Sequence, residues 1–210
     1  MAYNDVRDDF MTILDRDDCT TEQADVFMQQ SMQRIQRVCR LPSLERALLI
    51  TPTTDAMVQF PVPTDLIQFI DLLVPTVGSA TGQFTPLKKL SYRGLMQKSN
   101  AGYPHSFARM QTQVYLRGAL PIGTQMQVLY YGNCSTIANS ATDDNELTAG
   151  CPDLVIYGAL IYAGNYFEHP LTAMWTQTYN TLLAEVTTMA TELENEGGLI
   201  EVEPFYEFSD

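Results

Sequence analysis

Nucleophilic catalysis needs a thiol or hydroxyl beside a base, and this 210-residue chain offers two histidines and four cysteines from which to build one. His105 follows Pro104 in a loop, and His169 lies where the last two helices are expected to meet. A Cys–His or Ser–His pair would have to be assembled over long range with no local spacing to mark it, so turn and capping roles are expected for both. Cys19, Cys39, Cys134 and Cys151 are far apart and form no C-x-x-C pair, which argues against a zinc knuckle and a redox motif. Free, partly buried thiols are expected. Asp143-Asp144-Asn145-Glu146 lacks the alternating ligands and central Gly of a calcium loop and reads as a solvated acidic loop, with a weak ion site as the alternative. The glycines are scattered through turns, and none is followed by a Lys as in a phosphate-binding loop. These residues predict no catalytic centre, no metal and no cofactor.

Charge is more informative. All 12 Lys and Arg lie at or before Arg117, balanced there by 12 Asp and Glu, so residues 118–210 hold 13 acids, no Lys or Arg, and the entire formal charge of −13. Such a segment repels DNA phosphates. Asp143, Asp144, Glu146, Glu192, Glu194 and Glu196 are its candidates for a surface facing DNA, with plain solubility as the other reading. The cluster Lys88, Lys89, Arg93 and Lys98, with Tyr92 among it, could be a nucleic-acid patch. In an acidic protein it fits an acidic partner better, such as the C-terminal half of a neighbouring copy. Beyond Leu199 the tail alternates apolar and acidic residues. Ile200, Val202, Phe205, Tyr206 and Phe208 are too many apolar groups for water, while Glu201, Glu203 and Glu207 resist deep burial. The tail is expected to order on a partner or, alternatively, to pack along its own bundle.

The elements that position these residues follow from periodicity. Val6, Phe10, Ile13 and Leu14 predict a short amphipathic helix within 3–16. Thr20-Thr21-Glu22-Gln23 is a capping-box pattern opening a second helix with Ala24, Phe27, Met28, Ile35 and Val38 on its apolar face, stopped by Leu41-Pro42. From Arg46 to Cys134 short runs suggest strands: Arg46–Thr51, Met57–Phe60, Leu66–Val74, Val114–Arg117 and Gln125–Tyr131. Gly118–Gly123 would be a hairpin loop joining the last two, Ser91–Ser99 a helical turn or two, and parallel pairing is disfavoured because most connections are too short for a crossover. Pro152 opens a helix rich in small residues that neighbours can approach closely. Pro170 opens the last one, whose Leu171, Met174, Trp175, Thr178, Leu182, Val186, Met189 and Leu193 form a seam in need of a partner, ended by Gly197-Gly198. The expected fold is α+β: a helical bundle from residues 1–42 and 148–197, an inserted antiparallel β unit over 43–147, and an extended tail over 198–210. The longest apolar run, Leu154 to Phe167, is too short to cross a bilayer, and the acidic N-terminus lacks signal-peptide character, so the protein is expected to stay in the cytoplasm where it is made.

Four stretches in this order carry a likeness: Arg34-Ile35-Gln36-Arg37-Val38-Cys39-Arg40; Phe60-Pro61-Val62-Pro63-Thr64-Asp65-Leu66; the span Gln113–Tyr131 with Leu120-Pro121; and Asp153-Leu154-Val155-Ile156-Tyr157-Gly158-Ala159-Leu160. A helix containing Trp175 follows. The chain resembles the head-to-tail adaptor family of tailed bacteriophages, also called connector or tail tubular proteins, over most of residues 20–185. Leu66 stands where such families often carry an aromatic. The resemblance implies a structural virion protein of the neck, not an enzyme, forming a dodecameric ring between the portal protein and a tail tube or nozzle protein. DNA would pass in transit through an acidic channel without specific binding, and no membrane is involved. The helices would form the ring wall and the β unit would project toward the tail. Two other readings stand beside it: a tail-side or host-directed binding protein, and a peptidoglycan hydrolase using two of the many carboxylates.

Overall fold

The computed structural model describes residues 2–53, 55–76, 83–137, 140 and 142–195, without the side chains of 192–195. The chain runs through α1 (Tyr3–Leu14), α2 (Thr21–Val38), β1 (Glu45–Ile50), β2 (Met57–Pro61), β3 (Leu66–Pro75), β4 (Phe84–Pro86) and β5 (Lys88–Lys89). It continues with α3 (Tyr92–Met96), β6 (Ser106–Met110), β7 (Gln113–Leu120), β8 (Met126–Gly132), α4 (Glu146–Gly150), α5 (Pro152–Tyr166) and α6 (Thr172–Asn195). Two compact units result, Met1–Ser43 with Cys134–Asp210, and Leu44–Asn133. The class is α+β, with the β unit inserted between helices from both parts of the chain.

In the helical unit, α1 turns Tyr3, Val6, Phe10 and Leu14 inward and ends at Asp15, whose φ of 51° breaks the helix. The capping box of α2 is formed: Gln23 N–H donates to Thr20 Oγ1 at 3.3 Å, and Thr20 N–H donates to Gln23 Oε1 at 2.9 Å. Helix α5, buried on nearly all sides, is the hub against which α1, α2 and α6 pack. Its small residues permit this. A Cβ at Gly158 would lie 2.1 Å from Ser31 Oγ of α2, which donates to Val155 O at 2.8 Å, and one at Gly164 would lie 2.4 Å from Thr172 Oγ1 of α6.

The seam of α6 is met inside the subunit, but by a rotated face. Trp175, Tyr179 and Ala190 are buried and Leu182 and Val186 half-buried, whereas Leu171, Met174 and Met189 point to solvent. Tyr179 and Ala190 keep the three-and-four spacing with Trp175 and Val186. Aromatic bulk facing α5 outweighs the thioethers, which tolerate water at the helix surface.

The β unit comprises two four-stranded sheets in the orders β1-β8-β3-β4 and β2-β7-β6-β5. Their inner faces share one core, including Phe60, Phe69, Leu72, Phe107, Leu116, Leu120, Met126 and Val128, with the Phe69 and Phe107 rings edge to face at 6.0 Å. Strand β7 alternates half-buried and buried along all its residues. Two expectations are corrected. Strands β7 and β8 belong to different sheets, so 120–126 crosses between layers and is no hairpin loop. Gly118 lies inside β7 at φ 91°, where the Tyr103 carbonyl would sit 2.4 Å from a Cβ; only Gly123, at φ 76°, serves the turn. Strands β5 and β6 pair in parallel. Their connection, Leu90–His105, contains α3 and supplies the crossover length that a parallel pair requires.

Asp65 ties the two ends of the β unit together. It accepts from Arg46 Nη1 of β1 at 2.8 Å and from the Tyr130 hydroxyl of β8 at 3.1 Å, and its carbonyl accepts from Asn133 N–H at 2.8 Å. Arg46 Nη2 also donates to Asn133 O at 2.7 Å. Gly132 passes beneath this cluster, where a Cβ would lie 2.7 Å from Arg46 and 2.9 Å from Asp65. The Pro63-Thr64-Asp65 step thus has a physical role in holding the strands where the chain enters and leaves the unit.

Candidate interaction surfaces

The four cations singled out by sequence gather on elements that both pack on β6. Lys88 and Lys89 form β5, at the edge of their sheet, and Arg93 and Lys98 lie on and just beyond α3. All four are exposed, and none forms an ion pair with a described residue. The position of α3 is fixed from beneath: Leu95 is fully buried, Ser91 Oγ caps Gly94 N–H at 3.1 Å, and Tyr92 meets Tyr115 of β7 edge to face at 5.2 Å. Arg117 of β7 donates through Nε to Leu95 O at the C-terminal end of α3, where a cation also favours the helix dipole. A rigid platform therefore presents the charges.

The acids of residues 118–195 are dispersed. Glu146 accepts from Ser135 N–H and from its hydroxyl, both at 2.7 Å, so this carboxylate anchors the segment leading into α4. Asp143 accepts from Thr142 Oγ1 at 2.9 Å and its carbonyl from Tyr3 N–H at 3.0 Å, while Asp144 is exposed. The side chains of Glu192 and Glu194, and all of Glu196, lie outside the described residues. So do Ile200, Val202, Phe205, Tyr206 and Phe208 of the tail.

A denser acidic surface appears on α1. Opposite its buried stripe, Asp5, Asp8, Asp9 and Asp15 are exposed, followed by Asp17 and Asp18. Of the two cations nearby, Arg7 is engaged with Asp25 of α2 at 3.3 Å, and Arg16 pairs with Asp18 at 2.7 Å while stacking over Phe167 at 4.6 Å, so Asp5, Asp8, Asp9 and Asp15 form no ion pair with either. The signal was present in the sequence, since Asp5, Asp8 and Asp9 recur at helical spacing against Val6, Phe10 and Leu14.

The residues with potential for chemistry are placed structurally. His169 Nδ1 accepts from Leu171 N–H at 3.2 Å and its ring stacks on Trp175 at 4.6 Å, which is the capping role expected of it at the start of α6. His105 is held by backbone pairing, donating to Arg117 O at 3.0 Å and accepting from Lys88 N–H at 3.2 Å. All four cysteines are free thiols. Burial raises the pKa of the Cys19 and Cys39 thiols and pushes Cys151 up to about 12, with the nearby Asp153 charge adding to it. Cys134 is contacted by the amides of Gln36 and Asn145 in a cleft of about 400 Å³ that Tyr3, Asp25 and Ser135 also line. Burial and then the Asp25 carboxylate raise the Tyr3 pKa. Among the described residues no group of three or more His, Cys, Asp or Glu is placed to hold a metal ion, and no helix is long and apolar enough to cross a membrane.

The chain matches a family model over residues 1–198, and that family is described as SU10 adaptor protein. The match begins at residue 1, so it takes in α1 as well as the motifs over 20–185 that carry the visible likeness. No curated protein matches the chain.

Proposed function

The chain belongs to the SU10 adaptor protein family, a tailed-bacteriophage head-to-tail adaptor family, and on that premise we propose that it is a ring subunit beneath the portal. The observation that carries this reading is the family match over almost the whole chain, helices and β unit alike. As an adaptor, the protein has a structural role in the virion neck, joining portal and tail components.

The finer features of the proposal rest on charge and patterning. A ring at the neck must let DNA slide, and a lumen lined by carboxylates holds no phosphates. Asp143, Asp144, Glu146, Glu192, Glu194 and Glu196 are our candidates for that lining, and a dodecamer is the assembly the resemblance suggests. With a formal charge of −13, copies repel in solution and join once the portal offers a template. The tail residues Ile200, Val202, Phe205, Tyr206 and Phe208 are proposed to contact the portal or a neighbouring copy.

Mixing the purified protein with portal rings and measuring the product by native mass spectrometry tests this reading. A stoichiometric ring-on-ring complex is expected, lost when residues 199–210 are removed. Absence of binding across a range of salt would point instead to a tail-side or host-directed binding protein.

A further inference from the structure

No Asp or Glu occurs between Asp71 and Asp143, a stretch that contains six Lys and Arg. The Lys88, Lys89, Arg93 and Lys98 platform therefore finds no carboxylate in its own sequence neighbourhood, and it presents its four cations without an ion pair to any described residue. Lysines on a short edge strand also discourage unwanted strand addition. That accounts for Lys88 and Lys89 but not for Arg93 and Lys98 on the α3 side. The complement is in the same chain: an exposed stripe of Asp5, Asp8 and Asp9 on α1, extended by Asp15 at its C-cap, whose nearby cations, Arg7 and Arg16, are already paired.

We propose that the platform formed by Lys88, Lys89, Arg93 and Lys98 of one copy docks on the acidic outer face of α1 in the next copy. The inference rests on the reading of the protein as a ring-forming adaptor and names the surface through which copies meet. Three observations select this occupant. The occupant of a basic platform is acidic, and the chain itself, with 25 Asp and Glu against 12 Lys and Arg, supplies acids in excess. The described acids of the C-terminal half are spread over separate elements, and Glu146 is tied to Ser135, so they offer no continuous stripe. Finally, the platform and the stripe are different surfaces of the chain, on the β unit and the helical unit respectively, so the contact can repeat head to tail from copy to copy, as closure of a ring requires. Exposed ion pairs are individually weak, so the contact needs several of them and yields to salt.

The test uses full-length protein, an isotope-labelled sample mixed with an unlabelled one, treated at low salt with a carbodiimide that joins amines to carboxylates, both alone at high concentration and on portal rings. The expected result is amide links between differently labelled copies from Lys88 or Lys89 to Asp5, Asp8 or Asp9. These links should disappear at about 1 M salt, where the screening length is about 3 Å; the Lys88→Glu, Lys89→Glu variant, which has no amine at those positions to couple, is the background for the reciprocal exchange. Adding Asp8→Lys and Asp9→Lys to that variant restores the contact, with links now running from the new lysines to the new glutamates. Links that lead to C-terminal acids instead, or none between copies in either setting, overturn the proposal. So does DNA retention that depends on Lys88 and Lys89 while links between copies are missing. Portal binding by the unaltered protein is read separately: its absence counts against the adaptor reading, whereas the link map alone decides the contact.

Discussion

Cys151 occupies the joint between α4 and α5, ending the first helix and beginning the second. Its thiol is buried and its pKa is pushed from an ordinary value near 9 to about 12. In that window the folded protein keeps a proton that the unfolded chain releases, so stability is fully present below pH 9 and falls as pH rises toward 12. The slope is at most about 1.4 kcal/mol per pH unit for one such group. Tyr3, Cys39 and Tyr179, raised chiefly by burial, act in the same direction. Urea midpoints measured at successive alkaline pH values should therefore decline, and Cys151→Ser should decline less steeply. Equal slopes would show that this thiol does not titrate with unfolding. Sequence spacing predicts that the cysteines are unpaired, but it carries no measure of how deeply each is buried. Asp65 is a similar case. The Pro-x-Asp step is visible as a motif, while its bonds to Arg46 and Tyr130 join residues far apart in the chain.

At the scale of elements, α6 shows why periodicity alone leaves a rotation undecided. Its apolar and small residues cover so much of the circumference that two adjacent stripes keep the same spacing. Packing against α5 selects the stripe with Trp175, which is 1% exposed, and leaves Met174 53% exposed. Trp175→Ala should cost about 3–5 kcal/mol, the usual range for truncating a buried aromatic, whereas Met174→Ser should stay within about 0.5 kcal/mol. Thermal or urea unfolding of the two variants checks the orientation, and comparable losses would mean the helix is turned the other way. Strand pairing carries the same lesson. The runs at 113–120 and 126–132 are recognisable as strands, but their assignment to different sheets depends on partners β2, β6, β1 and β3 elsewhere in the sequence.

For the whole molecule, the division of charge follows the division of structure. Residues 44–133 carry seven Lys and Arg against four Asp and Glu, a formal charge of +3 inside a chain of −13. They also contain both sheets, their shared core and the Arg46–Asp65 cluster at the two chain ends. The excised segment 44–133 is therefore expected to fold by itself, with cooperative urea unfolding, and to bind a cation exchanger at neutral pH where the full chain binds an anion exchanger. A non-cooperative transition would show that the β unit needs the helices to fold.

The α+β class, the capped start of α2, the close-packing helix α5 and the adaptor resemblance are legible before any folding is considered, because each is written in local spacing, in caps or in the order of motifs. Which face of α6 is inside, the parallel pairing of β5 and β6 across α3 and the separation of β7 and β8 into two sheets were settled only by tertiary packing. Those outcomes depend on which distant segments compete for the same apolar surface and the same ion partners. Local periodicity limits that competition without resolving it.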